Sequence, residues 1–380
     1  MTITEAVVLA GGIGSRLFPL TKYRPKPLVP IANYTMLDWN FHVLASNGIT
    51  RVIVVVKYLG EQIKKHIEEY TAKIHSNMEI IIPDVDPKDT ADAVRVVADY
   101  IKTDNFFVTM ADIVTNINLQ AMARFHLDRG GIATISLKSI INHPKQFGVI
   151  LLDEKSKILH FLEKPTPQEL YMTSLVFQKR DSINYHTNLI NSGIYCFKRD
   201  LIDLLHDFKD LMDFGKNVFP FLLERKYGIF GFSEMEYFWQ DCGRADQILW
   251  TNEDVLKRWN WPYLPKGIEK NGSWYGENID IIGNVQIISP NAIGDNTKLK
   301  NNSKISLSSI GNNCVIDEGT EIKNSIIWDN TKIGKGVYIF KSIISDEVTI
   351  GDNCIIKEAI VAKNMIIKDD TILTKGEISE

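Results

Sequence analysis

Short apolar runs alternate with longer stretches of helical spacing along the first 255 residues. The runs at residues 6–9, 52–56, 80–82 and 106–110 are typical of buried β-strands, whereas residues 36–47 and 60–74 place apolar side chains at the spacing of a helix. Strands that alternate with helices predict an α/β fold, with a parallel-rich mixed sheet covered on both faces. In such folds ligands bind at the carboxyl ends of the strands.

The last hundred residues follow a different rhythm. From Ile293 onward, a branched aliphatic residue recurs at steps of 6, 6 and 5, which gives a 17-residue period over five turns. This period fits neither a helix nor a simple strand, but it fits a triangular parallel β-helix with one inward aliphatic residue on each short face. The pattern resembles the hexapeptide left-handed β-helix. The fifteen inward positions are Ile293, Leu299, Ile305, Ile310, Ile316, Ile322, Ile327, Ile333, Ile339, Ile344, Ile350, Ile356, Val361, Ile367 and Leu373.

These two patterns divide the chain of 380 residues. We expect a catalytic α/β domain over residues 1–255, a linker over 256–280 and the β-helix over 281–380. The linker is predicted because residues 259–278 are rich in Pro, Gly and aromatic residues and lack periodicity. The β-helix is expected to build a homo-oligomer, a dimer or tetramer, through outward apolar residues such as Trp328 and Tyr338.

Charge and cysteine content exclude several classes of protein. The formal net charge of −4 implies no bulk attraction to nucleic acid or to an anionic membrane. No apolar run reaches eighteen residues and no basic leader with a cleavage site begins the chain, so a soluble, cytoplasmic protein is expected. The four cysteines lie far apart without a Cys-x-x-Cys pair, which favours buried thiols over disulfides or zinc.

Residues 9–30, where the first predicted strand ends, contain the residue types that are typical of a phosphate-binding site. Gly11, Gly12 and Gly14 leave backbone N–H groups open to an anion, because no Cβ blocks its approach. Arg16 and Lys26 add positive charge, and prolines on both sides of Lys26 restrict where its ammonium points. The stretch therefore predicts a nucleoside triphosphate site. It is neither a Walker A loop, which needs Gly-Lys-Ser/Thr, nor a dinucleotide fingerprint, which needs a glycine at the position of Leu17.

Two carboxylates are candidate ligands for Mg²⁺. Asp112 follows the strand predicted at 106–110, and Asp241 lies beside Gly243 in a segment with aromatic residues. Mg²⁺ prefers carboxylate oxygens together with substrate phosphates. Each acid taken alone has an ordinary explanation, a helix cap for Asp112 and a turn for Asp241.

A third group of residues has the polar chemistry that a sugar phosphate requires. Glu163 and Asn191 supply hydrogen-bonding groups for sugar hydroxyls, Lys164 supplies a cation for the phosphate, and Gly148 allows close backbone approach. A Glu-Lys pair by itself is ordinarily a solvated loop.

The full set Gly-Gly-x-Gly-x-Arg…Pro-Lys-Pro, with the three segments above, resembles the sugar-1-phosphate nucleotidyltransferases (NDP-sugar pyrophosphorylases) over nearly the whole chain. The resemblance implies a Rossmann-like nucleotidyltransferase domain and an Mg²⁺-dependent reaction of an NTP with a hexose 1-phosphate. It implies catalytic roles for Arg16, Lys26 and Asp112, and metal ligation by Asp112 and Asp241. The implied sugar-phosphate ligands are Gly148, Glu163, Lys164 and Asn191. The implied nucleotide ligands are Leu9, Ala10, Gly11, Gly12, Gly14, Ser15, Thr90 and Ala91.

The chain departs from the family pattern at several points. Asp89 stands where the family usually has glycine before Thr-Ala, which puts a backbone contact to the base or ribose in doubt. Ala111 replaces a Gly or Ser before the metal-binding acid. Residues 166–189 form an insert that is either a lid over the sugar or a surface loop.

The resemblance leaves base and sugar open. Residues 34–38, 90–94 and 213–217 resemble the glucose-1-phosphate adenylyltransferases, and on them we expect ADP-glucose and hence glycogen synthesis. Residues 25–30 and 191–193 resemble the mannose-1-phosphate guanylyltransferases instead. A catalytically silent regulatory subunit is a further alternative, against which stands the presence of Arg16, Lys26, Asp112 and Asp241. The β-helix is not expected to transfer acyl groups, because the last histidine is His206 and such sites generally use a histidine base.

Overall fold

The computed structural model describes residues 2–71, 74–75, 77–139, 148–163, 166, 168–169, 189–234 and 236–378. The chain forms two compact units. Unit 1 comprises residues 1–12, 41–113 and 117–239, and unit 2 comprises residues 13–40, 114–116 and 240–380. Unit 2 therefore contains the C-terminal coils together with the segment that carries Arg16 and Lys26.

Unit 1 contains a nine-stranded mixed sheet with the path β10-β9-β11-β6-β1-β4-β5, in which β8 pairs with β11 and β12. Strands β6, β1, β4 and β5 are parallel, and β11 runs antiparallel to β6. The strands before the coils are β1 (Glu5–Ala10), β2 (Pro30–Ile31), β3 (Tyr34–Thr35), β4 (Arg51–Val56), β5 (Glu79–Ile81), β6 (Asn105–Met110), β7 (Ile113–Thr115), β8 (Ala133–Ser139), β9 (Gly148–Leu152), β10 (Ile158–Glu163), β11 (Leu189–Lys198), β12 (Ile229–Ser233) and β13 (Trp239–Asp241).

The four predicted strands are confirmed as β1, β4, β5 and β6, but only β1, β4 and β6 are central: β5 lies at the edge of the sheet and none of its residues is fully buried. Every residue of β1 is buried, as are the last five of β4, which is why these strands lack an alternating polar face. The α-helices with bounds among the described residues are α1 (Met36–Ser46), α2 (Gly60–His66), α3 (Thr90–Val96), α4 (Leu119–Arg129), α5 (Asp200–Asp207), α6 (Phe219–Glu224) and α7 (Ala245–Leu256). The helix predicted over 60–74 is thus α2, continued by a π-helical turn at Ile67–Thr71.

The coils of unit 2 form three ladders of short parallel strands. One face contains Ile293, Ile310, Ile327, Ile344 and Val361 in register, and the other two faces repeat the same 17-residue offset. Fourteen of the fifteen predicted inward positions are buried in one core cluster, and Leu373 packs against it partly buried. The predicted β-helix is therefore confirmed, because each inward aliphatic residue stacks on its equivalents in the coils above and below.

The corners of the coils require asparagine and glycine residues that the hydrophobic pattern does not account for. Asn296, Asn313 and Asn330 have φ between 56° and 59° and recur every 17 residues, since asparagine tolerates the left-handed region better than most residues. Gly311 is required for a different reason: an added Cβ would lie 2.3 Å from Asp329 Oδ1 of the next coil.

Trp328 corrects one expectation about the outer surface. Its side chain is 1% exposed, because the Arg24 guanidinium lies over its ring at 4.8 Å within the same unit. Trp328 is therefore unavailable to another subunit, whereas Tyr338 is partly exposed. The four cysteines are buried free thiols, as predicted. Among the helices that the structure describes, none combines the length and the apolar composition needed to cross a membrane.

The stack of inward aliphatic residues predicts that a charge placed inside one coil unfolds the coils on either side of it. Ile333 is 2% exposed and pairs with Ile316 and Ile350, so Ile333→Asp would bury an unpaired carboxylate among branched aliphatics. We expect aggregation or loss of the native assembly in light scattering and a lower melting temperature. Lys332→Asp places the same carboxylate one residue earlier, on the exposed face, and serves as the control. A fully stable Ile333→Asp protein would contradict the 6-6-5 register.

Candidate functional site

The glycine loop begins where β1 ends, at Ala10. A Cβ added to Gly11 would lie 3.3 Å from the Lys57 Cβ, whereas a Cβ added to Gly12 would meet no protein atom within 4 Å. The carbonyl of Leu9 accepts a hydrogen bond of 3.0 Å from the Ala111 N–H, which ties this strand end to the segment after β6. The loop thus leaves open space at Gly12, at the carboxyl end of the parallel strands.

A cavity of about 200 Å³ lies beside this loop in unit 1, lined by Leu9, Gly11 and Gly12 on one side and by residues 87–90 on the other. Lys57 borders it, and its ammonium donates to the Pro87 carbonyl at 2.8 Å. Of the predicted nucleotide ligands, Leu9, Gly11, Gly12 and Thr90 line the cavity. Ala91 is fully buried and its N–H donates to the Met212 carbonyl at 2.8 Å, so it supports the wall from behind.

Asp89 occupies its position without strain. Its φ of −155° is extended backbone, and its carboxylate caps α3 by accepting from the Thr90 N–H at 2.8 Å. The structure therefore has no conformational need for glycine at this position.

Within unit 2, Gly14 and Lys26 are packed together. Gly14 has φ +69°, and an added Cβ would lie 3.0 Å from the Lys26 Cβ. Lys26 is 7% exposed and begins a 3-10 turn at Lys26–Leu28. Ser15 begins a second 3-10 turn, Ser15–Leu17, whose Leu17 N–H donates to the Gly14 carbonyl at 2.9 Å. Gly14 is therefore needed both for its conformation and for the placement of the lysine stem.

Arg16 and Asp241 meet at Gly243 in the same unit. A Cβ added to Gly243 would lie 3.0 Å from Arg16 Nη2 and 3.3 Å from Asp241 Oδ1. Asp241 ends β13. The absence of a side chain at Gly243 thus allows a cation and a carboxylate to approach the same point.

Asp112 lies in the turn between β6 and β7 and is partly exposed. Because a strand follows it, Asp112 does not cap a helix, which removes the ordinary explanation for this acid. Within the described ranges, no group of three or more His, Cys, Asp or Glu side chains is arranged to hold a metal by itself.

The sugar-phosphate candidates Glu163 and Asn191 lie in a polar cluster of unit 1. Asn191 Nδ2 donates to Tyr195 Oη at 3.0 Å, and a bulge in β11 separates these two residues. Glu163 lies against Gly215, where an added Cβ would be 2.7 Å from Glu163 Oε2. Burial raises the pKa of the Tyr195 phenol, with Glu163 adding to the shift, so this hydroxyl keeps its proton.

Several members of this arrangement were not predicted. No role is predicted from the sequence for Tyr195 or Lys57, and Gly215 is identified there only as part of the segment 213–217 that resembles the glucose-1-phosphate adenylyltransferases. Gly148 begins β9. Lys164 and most of the insert at 166–189 lie outside the described residues, so their predicted roles stay predictions.

The chain matches two family models. The one described as "Nucleotidyl transferase" matches residues 5–258, and the one described as "EIF2B subunit epsilon LbH domain" matches residues 270–373. The second match identifies the coils as a left-handed β-helix, as predicted.

Named relatives are similar to the chain over most of its length. A "Mannose-1-phosphate guanyltransferase" of Saccharomyces cerevisiae is 30% identical over 296 residues, which covers 76% of this chain and 72% of the relative. The protein of that name from Kluyveromyces lactis is 29% identical with the same coverage. A "UTP--glucose-1-phosphate uridylyltransferase" of Synechocystis sp. is 27% identical over 313 residues, 79% of this chain and 76% of the relative.

The open space at Gly12 leads to a test of the loop. Gly12→Ala adds a methyl group that meets no protein atom within 4 Å, so we expect the fold to stay intact. If a triphosphate occupies that space, its Kd rises about tenfold or more, equivalent to ~1.4 kcal/mol. Calorimetric titration with nucleoside triphosphates measures this change. Gly376→Ala is the control, since its added Cβ would meet Leu373 Cδ1 at an ordinary 3.9 Å. Equal nucleotide Kd values for Gly12→Ala and wild type would place the phosphates elsewhere.

Proposed function

The chain belongs to the nucleotidyl transferase family and is a sugar-1-phosphate nucleotidyltransferase, and we propose that it makes GDP-mannose from GTP and mannose 1-phosphate. The observation that carries the choice of substrates is the similarity to the yeast mannose-1-phosphate guanyltransferase over 296 residues. The resemblance of residues 25–30 and 191–193 to the guanylyltransferases supports it.

The nucleotide would bind at the carboxyl end of β1. The loop at Gly11 and Gly12 offers backbone N–H groups to its phosphates, and the neighbouring cavity of about 200 Å³ takes the base. The cavity wall at residues 87–90 combines an apolar surface with the Asp89 carboxylate, whose oxygens accept hydrogen bonds.

The reaction replaces one bond to phosphorus by another. An oxygen of the sugar phosphate attacks the α-phosphorus in line, and the bond from that phosphorus to the bridging oxygen of the β-phosphate breaks, which releases pyrophosphate. Arg16 would neutralise the leaving pyrophosphate, and Lys26 would bridge the phosphates while negative charge redistributes between them. The buried stem of Lys26 limits the positions that its ammonium can reach, so the cation is oriented before substrate arrives.

The sugar would bind at the cluster of Glu163, Asn191 and Tyr195. The Glu163 carboxylate accepts hydrogen bonds from sugar hydroxyls, and the Asn191 amide both donates and accepts. Because Gly215 has no side chain, the Glu163 carboxylate retains its place beside the turn at Phe214–Val218.

Mg²⁺ fits the donors that the chain provides. Asp112 and Asp241 would supply carboxylate oxygens, and Mg²⁺ ordinarily uses one or two carboxylates with substrate phosphates rather than a complete protein cage. When bound, the ion would supply charge neutralisation on the phosphate oxygens.

Two other substrate pairs and one inactive state compete with this proposal. The relatives named above include a uridylyltransferase but no glucose-1-phosphate adenylyltransferase, so ADP-glucose and a role in glycogen synthesis lack their support. A silent subunit remains the alternative outside catalysis. Against it stand the retained Arg16, Lys26, Asp112 and Asp241.

A pyrophosphate-release assay tests the proposal. The purified protein is assayed with each of the four NTPs against mannose 1-phosphate and glucose 1-phosphate in the presence of Mg²⁺. We expect kcat/KM for GTP with mannose 1-phosphate to exceed every other pair by about tenfold or more, a difference of ~1.4 kcal/mol in transition-state binding. Highest activity with UTP or ATP and glucose 1-phosphate would replace the proposed substrates. No turnover with any pair, by protein that still binds nucleotide, would indicate a silent subunit.

Asp112 provides a second test of the mechanism. Asp112→Asn keeps the size of the side chain but removes its negative charge, so we expect kcat to fall by about 10²-fold or more at saturating Mg²⁺ with an unchanged melting temperature. Asp207→Asn, at an exposed position on α5, is the control and should keep full activity. Retention of more than about a tenth of wild-type kcat would remove Asp112 from the catalytic groups.

A further inference from the structure

Arg24 lies two residues before Lys26 and connects its segment to the coils of unit 2. Arg24 Nη2 lies 2.6 Å from Asp346 Oδ1, and the guanidinium lies 4.8 Å from the centre of the Trp328 ring. Its other terminal nitrogen, Nη1, donates to the Leu28 carbonyl at 3.0 Å. One planar group therefore touches two successive coils and the 3-10 turn Lys26–Leu28 at the same time.

These contacts are largely removed from water. The side chains of Arg24 and Asp346 are 24% and 8% exposed, and Trp328 is 1% exposed. Burial raises the pKa of the neighbouring Asp329 carboxyl; the charge of Asp346 adds to the shift, and that of Arg24 opposes it. Arg24 is thus the cation that compensates two closely spaced carboxylates, and little solvent is present to weaken the interaction.

A second anchor holds the same segment beyond Lys26. Asn33 Nδ2 donates to the Ile310 carbonyl at 2.9 Å. Asn252 Oδ1 accepts from the Ala32 N–H at 2.9 Å and from Ser309 Oγ at 2.7 Å. Residues 24–33 are therefore attached, on both sides of Lys26, to the coils and to α7 of the same unit.

We infer that Arg24 is a positioning residue for Lys26, and that the coil face formed by Trp328 and Asp346 fixes where the Lys26 ammonium lies. The inference rests on the proposed function, in which Lys26 acts on the phosphates. If Arg24 is lost, the turn Lys26–Leu28 loses its connection to the coils, and a displacement of about 1 Å at a reacting centre lowers the rate by about 10²-fold. Lysine cannot replace Arg24, because only the guanidinium has two terminal nitrogens at a fixed angle.

Arg24→Met and a matched control test this role. Arg258 makes the same two kinds of contact, with an indole ring (Trp274, 5.3 Å) and with an acidic partner (Glu269), in the same unit but far from Lys26 in sequence. Its side chain is 41% exposed, against 24% for Arg24. We expect Arg24→Met to lower kcat by about 10²-fold with both KM values within about twofold of wild type, and Arg24→Lys to restore little. Arg258→Met should keep wild-type kcat. An unchanged kcat for Arg24→Met, or an equal loss for Arg258→Met, overturns the inference.

A double-mutant cycle separates positioning from a direct role. If Arg24 acts only through Lys26, then Arg24→Met should cost less than about twofold when added to Lys26→Ala, because the group that it positions is already missing. A full further 10²-fold loss in that background would mean that Arg24 acts on substrate independently of Lys26.

Hydrogen exchange provides a readout that needs no activity. Because residues 25, 27 and 30 are proline, the segment 25–30 has amide hydrogens only at Lys26, Leu28 and Val29. The Leu28 and Val29 amides donate to Pro25 and Lys26 carbonyls at 2.9 and 3.0 Å. We expect them to exchange at least about tenfold faster in Arg24→Met than in Arg258→Met.

Arg24→Met leaves Asp346 without its cation, so the double variant Arg24→Met/Asp346→Asn is measured beside it to preserve folding. It should show the same fast exchange at Leu28 and Val29 and the same loss of kcat. Unchanged protection of both amides in this folded double variant overturns the inference. If wild type releases no pyrophosphate from any substrate pair, the proposed function fails, and exchange alone decides whether Arg24 positions the turn.

Discussion

The burial of Lys26 is the constraint on which the candidate site depends. A lysine that is 7% exposed must have its stem packed and its charge compensated, because transfer of an ammonium out of water is costly. The packing comes from Gly14, whose missing Cβ leaves room for the stem, and from the turn that begins at Lys26 itself. Arg24 and Asn33 hold this 3-10 turn against the coils. The burial of Lys26 thus gives a structural reason for the glycine at position 14, for the anchoring side chains of Arg24 and Asn33, and for the coil face that these two side chains contact.

The sequence predicts those parts of the structure that depend on patterns between residues close together along the chain. Stacking of Ile316, Ile333 and Ile350 could be predicted because each coil repeats the steps of 6, 6 and 5. The glycine loop could be located because an apolar strand runs directly into it. The contact of Arg24 with Asp346 could not, since 322 residues separate them and neither belongs to a repeat that involves the other. For the same reason Trp328 was predicted to face outward although an arginine covers it.

The candidate site likewise contains features that the sequence predicts and features that it does not. Asp112 could be selected from the sequence because it follows a strand. The sequence does not predict that a second strand, Ile113–Thr115, comes directly after it, and this strand removes the explanation of Asp112 as a helix cap. Tyr195 approaches Asn191 because a bulge shifts the register of β11 between them, and the sequence has no clear signal for such a shift. Asp89 in place of glycine raised doubt at the sequence level. The extended backbone there removes a steric objection and gives the carboxylate a structural use as a helix cap.

The contact between Arg24 and Asp346 also limits how this protein can change during evolution. Solenoids commonly gain or lose whole repeats, because an added coil satisfies the same ladders as the coil it joins. Here each coil advances the stack by about 4.8 Å, so a coil inserted or deleted between residues 310 and 346 would move Asp346 away from Arg24 while Asn33 still held Ile310. The number of coils between these two attachments is therefore fixed by the contacts of Arg24 and Asn33.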